Sequence, residues 1–255
     1  MKRIASLLGS PRKGNTHRLL TAMERVLDAA GDTELHRINL ADVGIRGCAG
    51  CHLCLTRGIE LCPLRDDLTR VLESIRSADG LILAAPVYIM QVPGLVKTLF
   101  DRLAFLCHRP ELYGTHAMVM ATTGAVGLKD VLGYMGDVAM VWGCRSVISM
   151  GAATPPGGLP ERGLPEKLQA RVERTADTFL SRLERGDGYP VALRSLIQFR
   201  IQRRLFSDPS MVDIMPEDYR HYTALRSVSY PAAGPVGPAR RAAAWLVEKA
   251  AAPFM

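Results

Sequence analysis

Residues 80–85, Gly80-Leu81-Ile82-Leu83-Ala84-Ala85, form an apolar run without polar alternation. A strand wet on one face alternates, whereas one covered on both faces does not. The run therefore predicts a central strand of a parallel sheet with helices on either side. Four more short runs, at 3–8, 33–40, 115–121 and 146–150, read as strands, and helical stripes separate them. The first stripe is Leu19, Leu20, Met23, Val26, Leu27 and Ala30; the second is Leu68, Val71, Leu72 and Ile75. Val92, Leu95, Val96, Leu99, Phe100 and Leu103 predict one helix over 91–106. Helices are also expected at 128–142 and at 165–185, the latter with Leu168, Val172, Phe179 and Leu183 inward. Five strand–helix units predict an α/β fold: a doubly wound five-stranded parallel sheet, order 2-1-3-4-5, over residues 1–185.

After Gly186-Asp187-Gly188 the pattern changes. Residues 193–205 predict a basic amphipathic helix with Leu193, Ile197, Ile201 and Leu205 on one side. An irregular stretch at 215–222, a Pro/Gly/Ala linker at 231–238 and a helix at 239–251 follow. This C-terminal arm, 186–255, is too small to bury much alone and is expected to wrap its own domain or a neighbouring subunit.

The charge of +7 invites nucleic acid, but the arginines are dispersed and aromatic residues make up only 6%. No nucleic-acid partner is expected. The N-terminal apolar run stops at Gly9-Ser10-Pro11, too short for a signal-peptide core. The longest apolar run, 81–90, is about half a membrane span, so a cytoplasmic protein without a membrane partner is expected.

Three strand ends carry groups suited to a ligand, and in open α/β sheets ligands bind beyond the carboxyl ends of the strands. The first strand runs into Gly9-Ser10-Pro11-Arg12-Lys13-Gly14-Asn15-Thr16, which opens a helix. Unpartnered N–H groups there bind phosphate; Ser10, Asn15 and Thr16 add donors, and Arg12 and Lys13 add charge. The spacing matches neither a nucleotide P-loop nor a dinucleotide fingerprint. A single terminal phosphate, as in FMN, fits better; an ordinary loop capped by Asn15 or Thr16 is the alternative. The third strand ends in Pro86-Val87-Tyr88-Ile89-Met90, an apolar lip for a flavin ring, although by itself the stretch reads as core. Thr122, Thr123 and Gly124 end the fourth strand and suit the polar edge of a flat ring.

Cys48, Cys51, Cys54 and Cys62 form C-x2-C-x2-C-x7-C, four of the six cysteines. Thiolates at such gaps can turn to one centre, as a [4Fe-4S] cluster needs. Structural zinc more often uses two separated pairs. Free thiols behaving as small apolar residues remain open, and disulfides at these gaps would be strained. His52 reads as solvent-facing, Asp66-Asp67 as a helix cap, and Lys97 with Asp101 as a surface pair.

The Ser10 loop, the four-cysteine loop, Asp66-Asp67, Pro86-Val87-Tyr88 and the helix carrying Lys97, Asp101 and Arg102 together resemble the iron-sulfur flavoprotein family. That family belongs to the flavodoxin-like NAD(P)H-dependent FMN reductases. The resemblance implies that Ser10, Arg12, Asn15 and Thr16 hold the FMN phosphate. It also implies that Pro86, Val87, Tyr88, Thr123 and Gly124 line the isoalloxazine, and that the four cysteines hold the cluster. It implies an oxidoreductase that passes electrons between NAD(P)H or ferredoxin, FMN, a cluster and a small-molecule acceptor such as a quinone. A homodimer or homotetramer is implied as well. Flavin supplies the chemistry, so no side chain is assigned as a catalytic base. A cluster-less FMN or quinone reductase and a non-enzymatic electron carrier are the alternatives.

Overall fold

The computed structural model describes residues 1–251. Five strands, β1 (Lys2–Leu8), β2 (Thr33–Asn39), β3 (Gly80–Pro86), β4 (His116–Thr123) and β5 (Ser146–Ala153), form one parallel sheet in the order β2-β1-β3-β4-β5. This is the expected doubly wound arrangement. Leu8 lies opposite Asn39 on one flank and Ala84 on the other, and Pro86 lies opposite Thr122. The ends of β1, β3 and β4 therefore open together at the switch point, where the strand order reverses.

The helices are α1 (Asn15–Ala29), α2 (Leu53–Thr56), α3 (Leu68–Arg76), α4 (Gly94–Arg102), α5 (Phe105–His108) and α6 (Leu128–Val141). They continue with α7 (Glu166–Arg185), α8 (Leu193–Phe206), α9 (Met211–Ile214), α10 (Pro216–Ala224) and α11 (Pro238–Ala251). Successive strand residues face opposite sides of a sheet. Leu81, Leu83 and Ala85 thus join α3, α4 and α6 in one core, while Ile82 and Ala84 join α1 and α7 in the other. Two dry faces are why β3 carries no polar alternation.

Several local expectations are corrected. The helix expected over 91–106 is two pieces: Pro93 precedes α4, and the chain breaks at Leu103 before α5. The break lets Leu103, Phe105 and Leu106 all reach the core. Residues 215–222 are not irregular, since α10 occupies them with Pro216 at its start and Glu217 and Asp218 in its first turn, a favourable helix opening. Helix α8 buries Leu196, Phe199 and Phe206, whereas Leu193 is exposed. The inward face is set by Tyr222 and Tyr230, against which those phenylalanines pack. Ala30 lies outside the α1 stripe, exposed past the helix end.

The segment after 186 packs on the rest of this chain. It forms a third cluster of Val191, Leu196, Phe199, Phe206, Tyr222, Tyr230 and Ala244, against which Tyr113 rests. Among the described residues no helix is long and apolar enough to cross a membrane.

Candidate functional site

The predicted strand-end residues meet in one crevice. Ser10, Arg12, Gly14, Asn15 and Thr16 follow β1; Pro86, Val87 and Tyr88 end β3; Thr122, Thr123 and Gly124 end β4. Thr154, just beyond β5, completes the lining. It was missed because the weak strand formers Gly151-Ala152-Ala153 hide how far β5 runs. Lys13 and Ile89 do not line the crevice; Lys13 is exposed on the loop and Ile89 is 96% exposed at a turn tip.

The loop after β1 is wound by its own polar groups. Ser10 Oγ donates to Arg12 O at 2.8 Å, and Gly14 N–H donates to the same oxygen at 2.8 Å. Asn15 and Thr16 are not caps: Gly14 precedes α1 without any side-chain cap. Asn15 Oδ1 instead accepts Leu159 N–H at 2.8 Å, and Thr16 Oγ1 shares a 2.7 Å hydrogen bond with Thr122 Oγ1. The first-turn N–H groups of α1 are thereby left for an anion. Burial, then Arg37 and Lys13, push the His17 imidazole pKa down.

The Tyr88–Gln91 turn is not core. Tyr88 and Gln91 exchange backbone hydrogen bonds at 2.9 and 3.0 Å, and Ile89 and Met90 have φ of 46° and 63°. Left-handed backbone at a β-branched residue is strained, and such strain is held where the surroundings over-determine it. Here the 124–127 loop packs behind the turn: a Cβ on Gly127 would lie 3.0 Å from Met90 Cα.

Cys48, Cys51, Cys54 and Cys62 line a second pocket, walled by Leu55, Ile59, Leu64 and Ala104. All are free thiols, and His52 is exposed. Burial, then Cys48, Cys62 and Cys51, push the Cys54 thiol pKa up. Four sulfurs line one apolar pocket, and three of them oppose ionisation of the Cys54 thiol, an arrangement that suits a soft cationic centre able to relieve the repulsion; the donor set is that of an iron–sulfur centre and not of a hard ion. Gly50 N–H donates to Cys48 Sγ at 3.4 Å, and Arg102 to Cys62 Sγ at 3.6 Å.

Arg102 is 3% exposed and forks onto Asp66 at 2.5 and 3.2 Å while donating to Arg46 O at 2.9 Å. Burial raises the Asp66 pKa, but the bonds from Arg102, Arg46 N–H and Leu68 N–H bring it below the usual carboxylate range. The expected cap is corrected: Asp67 precedes α3 without a side-chain cap hydrogen bond, and the Asp66-Asp67 pair ties loops together instead. Asp66 accepts Arg46 N–H at 3.0 Å and Asp67 accepts Gly44 N–H at 2.8 Å, stapling the start of the cysteine loop to its end. Lys97 and Asp101 pair on the surface of α4.

A sheet of this order with a ligand crevice across its switch point is flavodoxin-like. Solved structures share the fold. RosB with its bound intermediate aligns with TM-score 0.57 at 16% identity, covering 93% of this chain and 92% of that one. The apo form of the NADH:FMN oxidoreductase EMOB aligns with TM-score 0.55 at 24% identity, covering 71% and 90%. A family model described as NADPH-dependent FMN reductase matches residues 2–153. An iron-sulfur flavoprotein of Archaeoglobus fulgidus is 33% identical over 186 residues, 71% of this chain and 83% of that protein. Another, from Methanosarcina thermophila, is 35% identical over 105 residues, 41% of this chain and 53% of its own length. The chain belongs to the NADPH-dependent FMN reductase family, among its iron-sulfur flavoproteins. It is a flavin-dependent oxidoreductase with FMN as cofactor.

Proposed function

We propose that this chain passes electrons between NAD(P)H or ferredoxin, FMN and a [4Fe-4S] cluster, delivering them to a small-molecule acceptor such as a quinone. The carrying observation is that all four cysteines of the loop line one pocket. When bound, FMN supplies hydride and single-electron chemistry and the cluster supplies single-electron transfer.

The chain's own residues bind and orient. Ser10, Arg12, Gly14, Asn15 and Thr16 with the α1 amides hold the phosphate, and exposed Lys13 adds attraction for it. Pro86, Val87, Tyr88, Thr122, Thr123 and Gly124 would line the ring, with Ile89 at the exposed tip of the same turn. The N–H groups of Gly50 and Arg102 stabilise charge on the Cys48 and Cys62 sulfurs, which tunes the centre's potential. Exposed Tyr88, Ile89, Met90 and Val126 support a homodimer or homotetramer that covers the lip. Six free thiols fit a cytoplasmic location.

A second reading is a cluster-less FMN or quinone reductase with free thiols. Among the described residues no three His, Cys, Asp or Glu side chains gather closely enough to hold a single metal ion, whereas a four-iron cluster takes one thiolate on each iron. Anaerobic purification with iron, sulfide and flavin analysis separates the two. The proposal expects about four iron and four sulfide per FMN, with iron but not FMN lost in Cys62→Ala. Stoichiometric FMN without iron overturns it in favour of the second reading.

A further inference from the structure

We propose that Asp218, in the C-terminal segment, is a positioning residue for the cysteine site: acting through Arg109, it fixes the short helix that presents Cys54. Helix α2 has four residues, too few to hold itself, and its last carbonyls lack partners within the helix. Arg109 supplies them, donating from Nη2 to Cys54 O at 2.5 Å and from Nη1 to Leu55 O at 2.9 Å. Arg109 is itself 8% exposed, so its charge needs a partner. That partner is Asp218, fully buried on α10, whose Oδ1 accepts from Arg109 Nη1 while Oδ2 lies 2.7 Å from His108 Nδ1.

Other parts of the segment hold the same stretch. Tyr222 Oη donates to His108 O at 2.6 Å, Gln202 Nε2 donates to Cys107 O at 2.5 Å, and α10 packs directly on α2. The cysteine pocket is thus gripped from two sides. Cys62 is held within the sheet domain, by Arg102 and its partner Asp66; Cys54 is held from residues 186–255, by Asp218 through Arg109. Without Asp218 a buried cation would face α2 uncompensated, and the helix would lose the fixed guanidinium that binds it.

The link to a cluster rests on the function proposed above, whereas the positioning does not require a metal. The test uses full-length, FMN-loaded protein as wild type, Asp218→Asn and the apolar pair Arg109→Met/Asp218→Leu, which removes the grip without burying a lone charge. Alkylation of each cysteine by iodoacetamide is followed by mass spectrometry on metal-free protein, alongside hydrogen exchange of residues 53–57. Cys54 is expected to react about tenfold faster in both variants, the factor that about 1.4 kcal/mol of lost local stability gives, while Cys62 keeps its rate. Protein loaded with iron and sulfide is expected to show a shifted reduction potential in both variants. Wild-type reactivity of Cys54 in the double variant, or equal acceleration of all six cysteines, overturns the proposal. A wild type that takes up no iron overturns the function proposed above instead, and the alkylation result stands without it.

Discussion

His116 opens β4 in a buried position, with Nδ1 2.8 Å from Ser146 Oγ and Nε2 without a partner among the described residues. Its ring stands edge-on to Tyr189 at 5.4 Å. Burial, then Arg145 and Arg182, lower its pKa from 6.5 to about 4. Between those values the unfolded chain binds a proton that the folded one refuses. The stability is therefore fully present above about pH 6.5 and declines as pH falls toward 4, by a total on the order of 3 kcal/mol. Denaturant midpoints at pH 7 and pH 4.5 check this: the drop is expected to be smaller in His116→Gln, and an equal drop in both proteins refutes it. Nothing in the order of residues marks this histidine. Its neutrality comes first from burial and then from arginines brought up by other parts of the chain, just as the Thr16 hydroxyl is committed by Thr122, a residue far along the chain.

At the scale of elements, the β1 end and α4 meet without room for a side chain. A Cβ on Gly9 would lie 2.1 Å from Val96 Cγ2 and 3.4 Å from Ala84 O. Val96 is β-branched and buried, so it cannot turn away. Gly9→Ala is expected to cost about 1–3 kcal/mol and to loosen FMN, since Ser10 begins the loop next door. Adding Val96→Ala should restore most of both losses, read by thermal unfolding and flavin fluorescence; failure of that rescue would show the contact is not the cause. The α3 and α4 stripes were legible because they are periodic over neighbours. The break between α4 and α5 was not, because the apolar stripe runs through Leu103 unchanged and only packing decides the turn.

For the whole molecule, the tie between the sheet and residues 186–255 centres on Arg145, buried just before β5. It donates to Tyr113 O at 3.2 Å, Tyr189 O at 2.7 Å and Ala233 O, and pairs with Asp187 at 2.9 Å. Arg145→Met leaves these carbonyls unpaired, with an expected loss on the order of 3 kcal/mol. Limited proteolysis near residues 186–192 should quicken while the circular dichroism of the sheet domain persists; unchanged cleavage would mean the segment is held otherwise. By itself the sequence determined the sheet order, both dry faces and the strand ends that build the crevice, because apolar period and turn chemistry are carried by residues close together in the chain. Tertiary structure alone decided which polar groups meet. The Arg109–Asp218 pair spans 109 positions, and its partners are selected by the surfaces that folding presses together, which no local pattern records.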